Sequence, residues 1–92
     1  MTIDHSTHYL SGEEIHAGDR VSWAGNPARV VFVIGRDEFI ADFASQRDWF
    51  KQEYQRGFMI ECESYGLVLE NEADEDIEFV AREESAPPEI SR

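Results

Sequence analysis

The sequence has little that marks a covalent framework or a special compartment. It contains one cysteine, Cys62, so an internal disulfide is excluded, and its place in a strand pattern predicts a small core side chain rather than a nucleophile. No run approaches the roughly 18 consecutive apolar residues of a membrane helix. The opening Met1–His5 lacks the basic and then apolar pattern of a signal peptide. We therefore expect a cytoplasmic protein without membrane contact.

Basic side chains are also scarce. Eight Lys and Arg stand against 20 Asp and Glu, which gives a formal net charge of −12 at pH 7. Because phosphate groups are gripped mainly by Arg and Lys, this balance argues against direct binding to nucleic acid or to an anionic membrane. It predicts that any partner is a basic protein. The alternative is that the excess acid only keeps a small protein soluble.

Metal-binding patterns are incomplete. His5 and His8 are three residues apart and His16 follows, but no second group of Cys and His completes a tetrahedral zinc shell. The acidic run 74–76 lacks the spacing and the glycine of an EF-hand. We predict no metal and no other cofactor.

Catalytic motifs are missing too: the sequence has no phosphate-binding loop, nucleophile elbow or zinc-protease motif. Two acid–base pairings are conceivable, Glu61 with Glu70 across neighbouring strands and His16 with Asp19. Neither is accompanied by a pattern that marks a pocket, and a barrel of this size is filled by its own side chains. We therefore predict that the protein is not an enzyme.

What the sequence does contain is a clear hairpin between Gly18 and Gly35. Residues 20–23 alternate polar and apolar, as a strand with one buried face does. The cluster Ala24-Gly25-Asn26-Pro27 interrupts the strand and predicts a turn. Residues 28–34 are apolar on both faces and rich in β-branched side chains, which predicts a central strand buried on two sides.

These residues carry a resemblance. The stretch Gly18-Asp19-Arg20-Val21, followed by Gly25 and the apolar strand, resembles the opening of small SH3-like barrels, including the KOW type. It departs from them at 28–29, where such modules often have a second glycine. Together with 57–60 and 74–76, the same stretch is similar to small uncharacterised acidic bacterial proteins of toxin-immunity type. The resemblance implies a barrel that binds a partner.

The rest of the chain extends this β pattern. After a loose arm at 1–7, residues 8–10 and 13–15 predict a small hairpin over one barrel mouth. Further strands are predicted at 58–63, 67–72 and 77–82, separated by turns at 64–66 and 73–76. We expect a mainly β fold, a small SH3-like antiparallel barrel of five or six strands with one short helix in an insertion. It forms a single domain over 1–82, and 83–92 is a disordered tail.

The insertion is residues 36–56, where aromatic and charged side chains mix without a turn signal. A helix is predicted over 46–54, with Ser45 as its N-cap. The aromatic residues are too many for a solvated loop, and they are Phe39, Phe43, Trp49, Phe50 and Tyr54. Either they form a satellite core, or some of them, Trp49 above all, anchor an interface.

Acidic residues concentrate in the last third of the chain. Between Glu61 and Glu84 there are ten acids and one base, Arg82. Carboxylates two apart on one strand face stand roughly 6.5–7 Å apart, a spacing that imitates the phosphates of a nucleic-acid strand. The predicted partner-binding residues are Glu61, Glu63, Glu70, Glu72, Asp74, Glu75 and Asp76, with Trp49 and Phe50 supplying contact area.

The function predicted from this pattern is inhibitory binding, of the immunity or antitoxin type, to a basic toxin or nucleic-acid-binding protein. The alternative is a non-catalytic SH3-like module that binds a peptide or a ribosome-associated partner. A solvated outer sheet face would produce the same alternation of acids without any interface.

Overall fold

Six strands and two short helices follow one another along residues 3–82, the part of the chain that the computed structural model describes. The strands are β1 (Arg20–Trp23), β2 (Asn26–Val33), β3 (Glu38–Phe39), β4 (Phe58–Cys62), β5 (Gly66–Glu70) and β6 (Ile77–Ala81). The helices are α1 (Ala41–Ala44) and α2 (Arg47–Glu53), and a 3₁₀ turn covers Ile34–Arg36. Within these residues no helix has both the length and the apolar character needed to cross a membrane.

All six strands belong to one antiparallel sheet in the order β5-β4-β2-β1-β6, with β3 paired to β2 off this path. The prediction of a mainly β fold with five or six antiparallel strands and a short helix in an insertion is confirmed, and the strands number six within residues 3–82. In the described part of the chain no ladder joins β5 to β6, so the sheet is open. The resemblance to SH3-like barrels stays a prediction, and the predicted tail 83–92 lies outside the described residues.

The central hairpin has the predicted form. Trp23 pairs with Asn26 across a two-residue turn. In that turn Ala24 has φ 50° and Gly25 has φ 85°, both positive as in the type I′ turns that match the twist of a hairpin. Pro27 lies within β2, but beyond the last residue that pairs with β4, so its missing N–H breaks no bond of that ladder.

From Val30 onward strand β2 is buried on both faces, as predicted, and this part of the strand contains a bulge. Val30 pairs with Ile60 and Phe32 with Met59, so Val31 is an extra residue in β2. As a result Val30 packs into one hydrophobic cluster and both Val31 and Phe32 into a second. The first cluster contains Tyr9, Ile15, Val21, Val30, Val33, Phe58, Ile60, Ala73 and Ile77. The second contains Val31, Phe32, Ile34, Phe50 and Met59.

The sheet curls around the first cluster. Strands β1 and β5 are separated by two other strands, which in a flat sheet would place them roughly 14 Å apart. The indole Nε1 of Trp23 on β1 nevertheless lies 3.1 Å from the carboxylate of Glu70 on β5. Strands β1 and β5 therefore approach each other at this end of the sheet.

The N-terminal segment forms the predicted small hairpin. His8 bridges to Glu14, and Tyr9 and Ile15 are fully buried in the first cluster. The prediction of a loose arm through residue 7 is wrong from residue 4 onward. The His5 carbonyl accepts a hydrogen bond from the N–H of Ala73 at 2.7 Å, so this segment is tied to the loop before β6.

The insertion contains the predicted helix, as α2, and the predicted satellite core. Phe32 packs on Phe50 with ring centroids 4.6 Å apart, and Phe43 and Tyr54 lie around them. The predicted cap is wrong. Ser45 has helical backbone angles and ends α1, whereas the N-cap of α2 is Gln46, without a side-chain hydrogen bond.

Candidate functional site

Two of the predicted binding carboxylates are already paired with bases of the same chain. Glu61 lies 3.6 Å from the guanidinium of Arg29 on the neighbouring strand. Glu72 lies 2.7 Å from Arg56. Because these charges are partly balanced, they attract a basic partner less strongly than unpaired carboxylates do.

The predicted pairing of Glu61 with Glu70 across strands is wrong. In the β4–β5 ladder Glu61 is opposite Leu67, and Glu70 is opposite Phe58. These two ladder positions are three residues apart, an odd number, so Glu70 is on the face of the first cluster and Glu61 on the face of the second.

The remaining carboxylates gather where β5 ends and β6 begins. We call Glu70, Asp74, Glu75 and Asp76 the acidic loop. In residues 3–82 none of the four has a basic group within 4.0 Å. Glu63, just after the end of β4, is likewise exposed and has no ion pair in this part of the chain.

The surroundings of Glu70 disfavour the ionised form of its carboxyl group. Burial raises the pKa of its carboxyl above the ordinary value of 4.5, and the negative charges of Asp74 and Asp76 raise it further. The hydrogen bond from Trp23 acts in the opposite direction and lowers this pKa. A cation placed beside Glu70 would relieve the unfavourable effects of burial and repulsion.

Backbone hydrogen bonds hold the acidic loop in place. The N–H of Asp76 donates to Oδ1 of Asp74 at 2.9 Å, and the N–H of Ile77 donates to the Asp74 carbonyl at 3.1 Å. The N–H of Ala24 donates to the Asp76 carbonyl at 2.7 Å. Ala73 is buried in the first cluster, so the loop is anchored at both ends.

An aromatic pair adjoins the acidic loop. Trp23 and Tyr65 meet edge to face with centroids 5.2 Å apart, and the Tyr65 side chain is 63% exposed. Aromatic faces beside carboxylates suit the guanidinium of Arg or the ammonium of Lys, through cation–π and charge-assisted hydrogen bonds. Sequence reasoning placed Trp23 in a strand and Tyr65 in a turn but gave no sign that they meet, because they are far apart along the chain.

The two predicted aromatic anchors are in different environments. Trp49 is 55% exposed on α2, whereas Phe50 is 9% exposed and belongs to the second cluster. Trp49 lies against Phe50 with ring centroids 5.0 Å apart. Of this pair, Trp49 is the one that offers accessible surface.

Asp19 is fully buried and its carboxylate is engaged on both oxygens. It accepts hydrogen bonds from the Tyr9 hydroxyl at 2.7 Å, from the His16 N–H at 3.0 Å and from Arg82 Nε at 3.0 Å. Burial and the Asp19 contact raise the pKa of Tyr9 far above its usual range. The Asp19 carboxylate and the Tyr9 hydroxyl are thus held by hydrogen bonds. This network joins the N-terminal hairpin to β1 and to the end of β6.

The imidazole of His16 does not face Asp19, contrary to the prediction. Its Nε2 lies 2.9 Å from Glu14 and its Nδ1 lies 3.0 Å from Glu38. The His16 ring therefore links the N-terminal hairpin to β3, and only its backbone contacts Asp19.

Other candidate reactive groups are placed as follows. Cys62 is a free thiol, 1% exposed, as predicted for a small core side chain. His5 contacts the carbonyl of His8 at 3.1 Å through Nδ1. Over residues 3–82 no group of three or more His, Cys, Asp or Glu side chains is arranged to hold a metal ion.

Comparison of the chain with protein-family models, with curated proteins and with solved structures found no match.

Proposed function

We propose that this protein is a non-enzymatic, SH3-like binding module that inhibits a basic partner in the manner of an immunity protein or antitoxin. The partner is a basic toxin or a nucleic-acid-binding protein, and the binding takes place in the cytoplasm. The acidic loop attracts the partner and pairs with its Arg and Lys side chains.

The observation that carries this proposal is a set of carboxylates beside Trp23 and Tyr65 that form no ion pair within residues 3–82. Burial and charge repulsion disfavour the ionised form of Glu70 in the free protein, and the attraction of a bound cation would offset both effects. The net charge of −12 adds a long-range field that speeds encounters with a positive partner.

The same geometry favours binding over catalysis. The carboxylate of Asp19, the most buried acid in the described part of the chain, is bonded to Tyr9 and Arg82. Neither that network nor the exposed acidic loop pairs a nucleophile with a general base in a cleft.

The test begins with affinity capture of the tagged protein from a lysate of its source, followed by washes at low and at high salt. A captured basic protein is purified, and its activity is measured with increasing amounts of the wild-type protein. A loop variant then replaces Glu70→Gln, Asp74→Asn and Asp76→Asn. We expect its association rate to fall about tenfold or more at low salt, because electrostatic steering and direct ion pairs are both lost.

A matched control removes the same number of charges elsewhere. The helix control variant replaces Asp42→Asn, Asp48→Asn and Glu53→Gln, three exposed acids of α1 and α2 that have no ion pair in the described residues. We expect it to inhibit nearly as well as the wild type. If both variants lose inhibition equally, net charge alone explains the effect. If the loop variant inhibits fully, the acidic loop is not the binding site.

A second candidate function follows from the exposed Trp49. It lines a shallow groove of about 450 Å³ with Ser45 and Gln46, which favours the alternative of a module that binds a peptide or a ribosome-associated partner. Under this alternative, Trp49→Ala abolishes capture of the partner, and the loop variant captures it normally.

A further inference from the structure

Within residues 3–82 strand β6 pairs with β1 alone, so it is an edge of the sheet in this part of the chain. The direction of its backbone groups follows from the register. Ala24 donates its N–H to the Asp76 carbonyl directly opposite, which marks a hydrogen-bonded pair. Bonded and non-bonded pairs alternate along an antiparallel ladder, so continuing this alternation along the ladder makes Val21 with Phe79 a non-bonded pair.

The N–H and C=O of Phe79 therefore point away from β1, towards the open side of β6. Among residues 3–82 no turn, loop or side-chain hydrogen bond uses either group. The Phe79 ring is fixed against Tyr9, with centroids 5.3 Å apart, so this backbone is presented by an ordered part of the core. An ordered donor and acceptor on an edge are what an added strand requires.

A groove of about 510 Å³ runs along this edge. The tip of the N-terminal hairpin forms one wall with Leu10, Ser11 and Glu13, and Glu75 with Ile77–Phe79 forms the other. Leu10 is 50% exposed and supplies an apolar contact. The groove thus combines the Phe79 backbone groups, which none of those hydrogen bonds in residues 3–82 uses, with an exposed apolar side chain.

The charge of the groove selects its occupant. Glu13, Glu75 and Glu78 line it, and within residues 3–82 none of them has a basic group within 4.0 Å. A second copy of this chain would bring the same carboxylates and a net charge of −12 to the contact. Residues 83–92 carry three acids and one base, so their charge does not match the groove either.

We propose that the outer edge of β6 binds an extended, basic peptide segment of the partner, which adds to the sheet as a further strand. The peptide backbone pairs with Phe79, and its Lys or Arg side chains contact Glu13 and Glu78. This rests on the proposed function, since it names the part of a basic partner that the sheet receives.

The probe is a capped nine-residue peptide of alternating Lys and Val, compared with the same peptide N-methylated at every residue. Both have the same charge, but the methylated form cannot donate ladder hydrogen bonds. We expect the methylated peptide to bind about tenfold more weakly by calorimetry, as the loss of one or two hydrogen bonds implies. The unmethylated peptide is also expected to slow hydrogen exchange of the Phe79 amide.

Groove variants give an independent readout. Glu13→Gln with Glu78→Gln is expected to weaken binding of the unmethylated peptide several-fold. The matched pair Asp42→Asn with Asp48→Asn, on the helices, is expected to leave it nearly unchanged. Neither pair of substitutions changes a residue of the acidic loop. The inhibition assay with the loop variant therefore tests the proposed function independently of this peptide-binding test.

Three results would overturn the inference. Equal binding of both peptides means attraction by charge alone, which leaves the proposed function standing. If neither peptide binds, the β6 edge is not a peptide site. The proposed function is then decided by the inhibition assay with the loop variant. A dimer in light scattering that protects Phe79 without peptide means that the edge is occupied by a second copy.

Discussion

The guanidinium of Arg82 donates through Nε to the carboxylate of Asp19 at 3.0 Å, across 63 residues of sequence. Asp19 is completely buried, whereas the Arg82 side chain is 43% exposed. Together with the Tyr9 hydroxyl, this contact fixes the residue after β6 and the N-terminal hairpin to the start of β1. A buried carboxylate of this kind is stable only while its partners are present.

Replacing Asp19→Asn should strongly destabilise the fold. The amide cannot satisfy Arg82, Tyr9 and the His16 N–H together, and breaking a buried pair costs about 3 kcal/mol or more. The free energy of unfolding is measured by urea denaturation. If Asp19→Asn proves too unstable to fold, Tyr9→Phe removes one bond of the same network at a cost of about 1–2 kcal/mol.

The control for this network is Asp42→Asn, an exposed position expected to change the free energy of unfolding by less than about 0.5 kcal/mol. If Asp19→Asn changes the free energy of unfolding as little as Asp42→Asn does, the network has no structural role.

Substituting Gly57 should destabilise the fold because a side chain there would collide with the backbone of Glu70. Its φ is +102°, and a Cβ built there would lie 2.4 Å from the carbonyl oxygen of Glu70. Gly12 has nearly the same φ, +103°, and a Cβ added to it would have nothing within 4 Å. Gly12→Ala therefore measures the backbone strain alone, about 1–3 kcal/mol. Thermal unfolding should show a clearly larger loss for Gly57→Ala, and equal losses would mean that β5 shifts without cost.

The titration of Glu70 should reveal the crowding of the acidic loop. Because its pKa in the folded protein is raised above 4.5, the folded state binds this proton more tightly than the unfolded chain does. The contribution of Glu70 to stability therefore falls as pH rises through the interval between 4.5 and the folded pKa. Carboxyl-detected NMR should place the Glu70 midpoint above 4.5.

The cause of that shift is tested by neutralising its neighbours. Asp74→Asn with Asp76→Asn should lower the Glu70 midpoint, since two of the charges that raise it are removed. Asp48→Asn, on α2, should leave it in place. A midpoint unmoved by the double substitution would assign the shift to burial alone.

Substitutions of Phe50 and Trp49 should have very different effects on the free energy of unfolding, although the two residues are neighbours in the sequence. Phe50→Ala empties a site between Phe32 and Tyr54 and should cost about 3–5 kcal/mol in unfolding free energy. Trp49→Ala removes a largely exposed side chain, and we expect about 1 kcal/mol or less. Chemical denaturation of both variants checks this. A large loss for Trp49→Ala would make it a core residue and weaken its candidacy as a binding anchor.

Local patterns predicted the elements well. The alternation in 20–23 and 58–63 indicated the strands β1 and β4, and Gly25 marked the turn between β1 and β2. The aromatic residues of 36–56 correctly indicated a satellite core. The cap at Ser45 was predicted wrongly because α1 continues up to that position, and nothing in the flanking residues marks a second, four-residue helix.

The sequence by itself determined the five longer strands, the turns and the excess of negative charge, because these depend on neighbouring residues and on composition. The tertiary structure added the short strand β3 and decided which charges of residues 3–82 form ion pairs with one another. Glu72 meets Arg56 and Glu61 meets Arg29, while Glu70 is left beside Trp23. These contacts join residues 16, 32 and 47 positions apart, and they exist because the sheet order and the curl bring distant strands together. No local pattern carries that information.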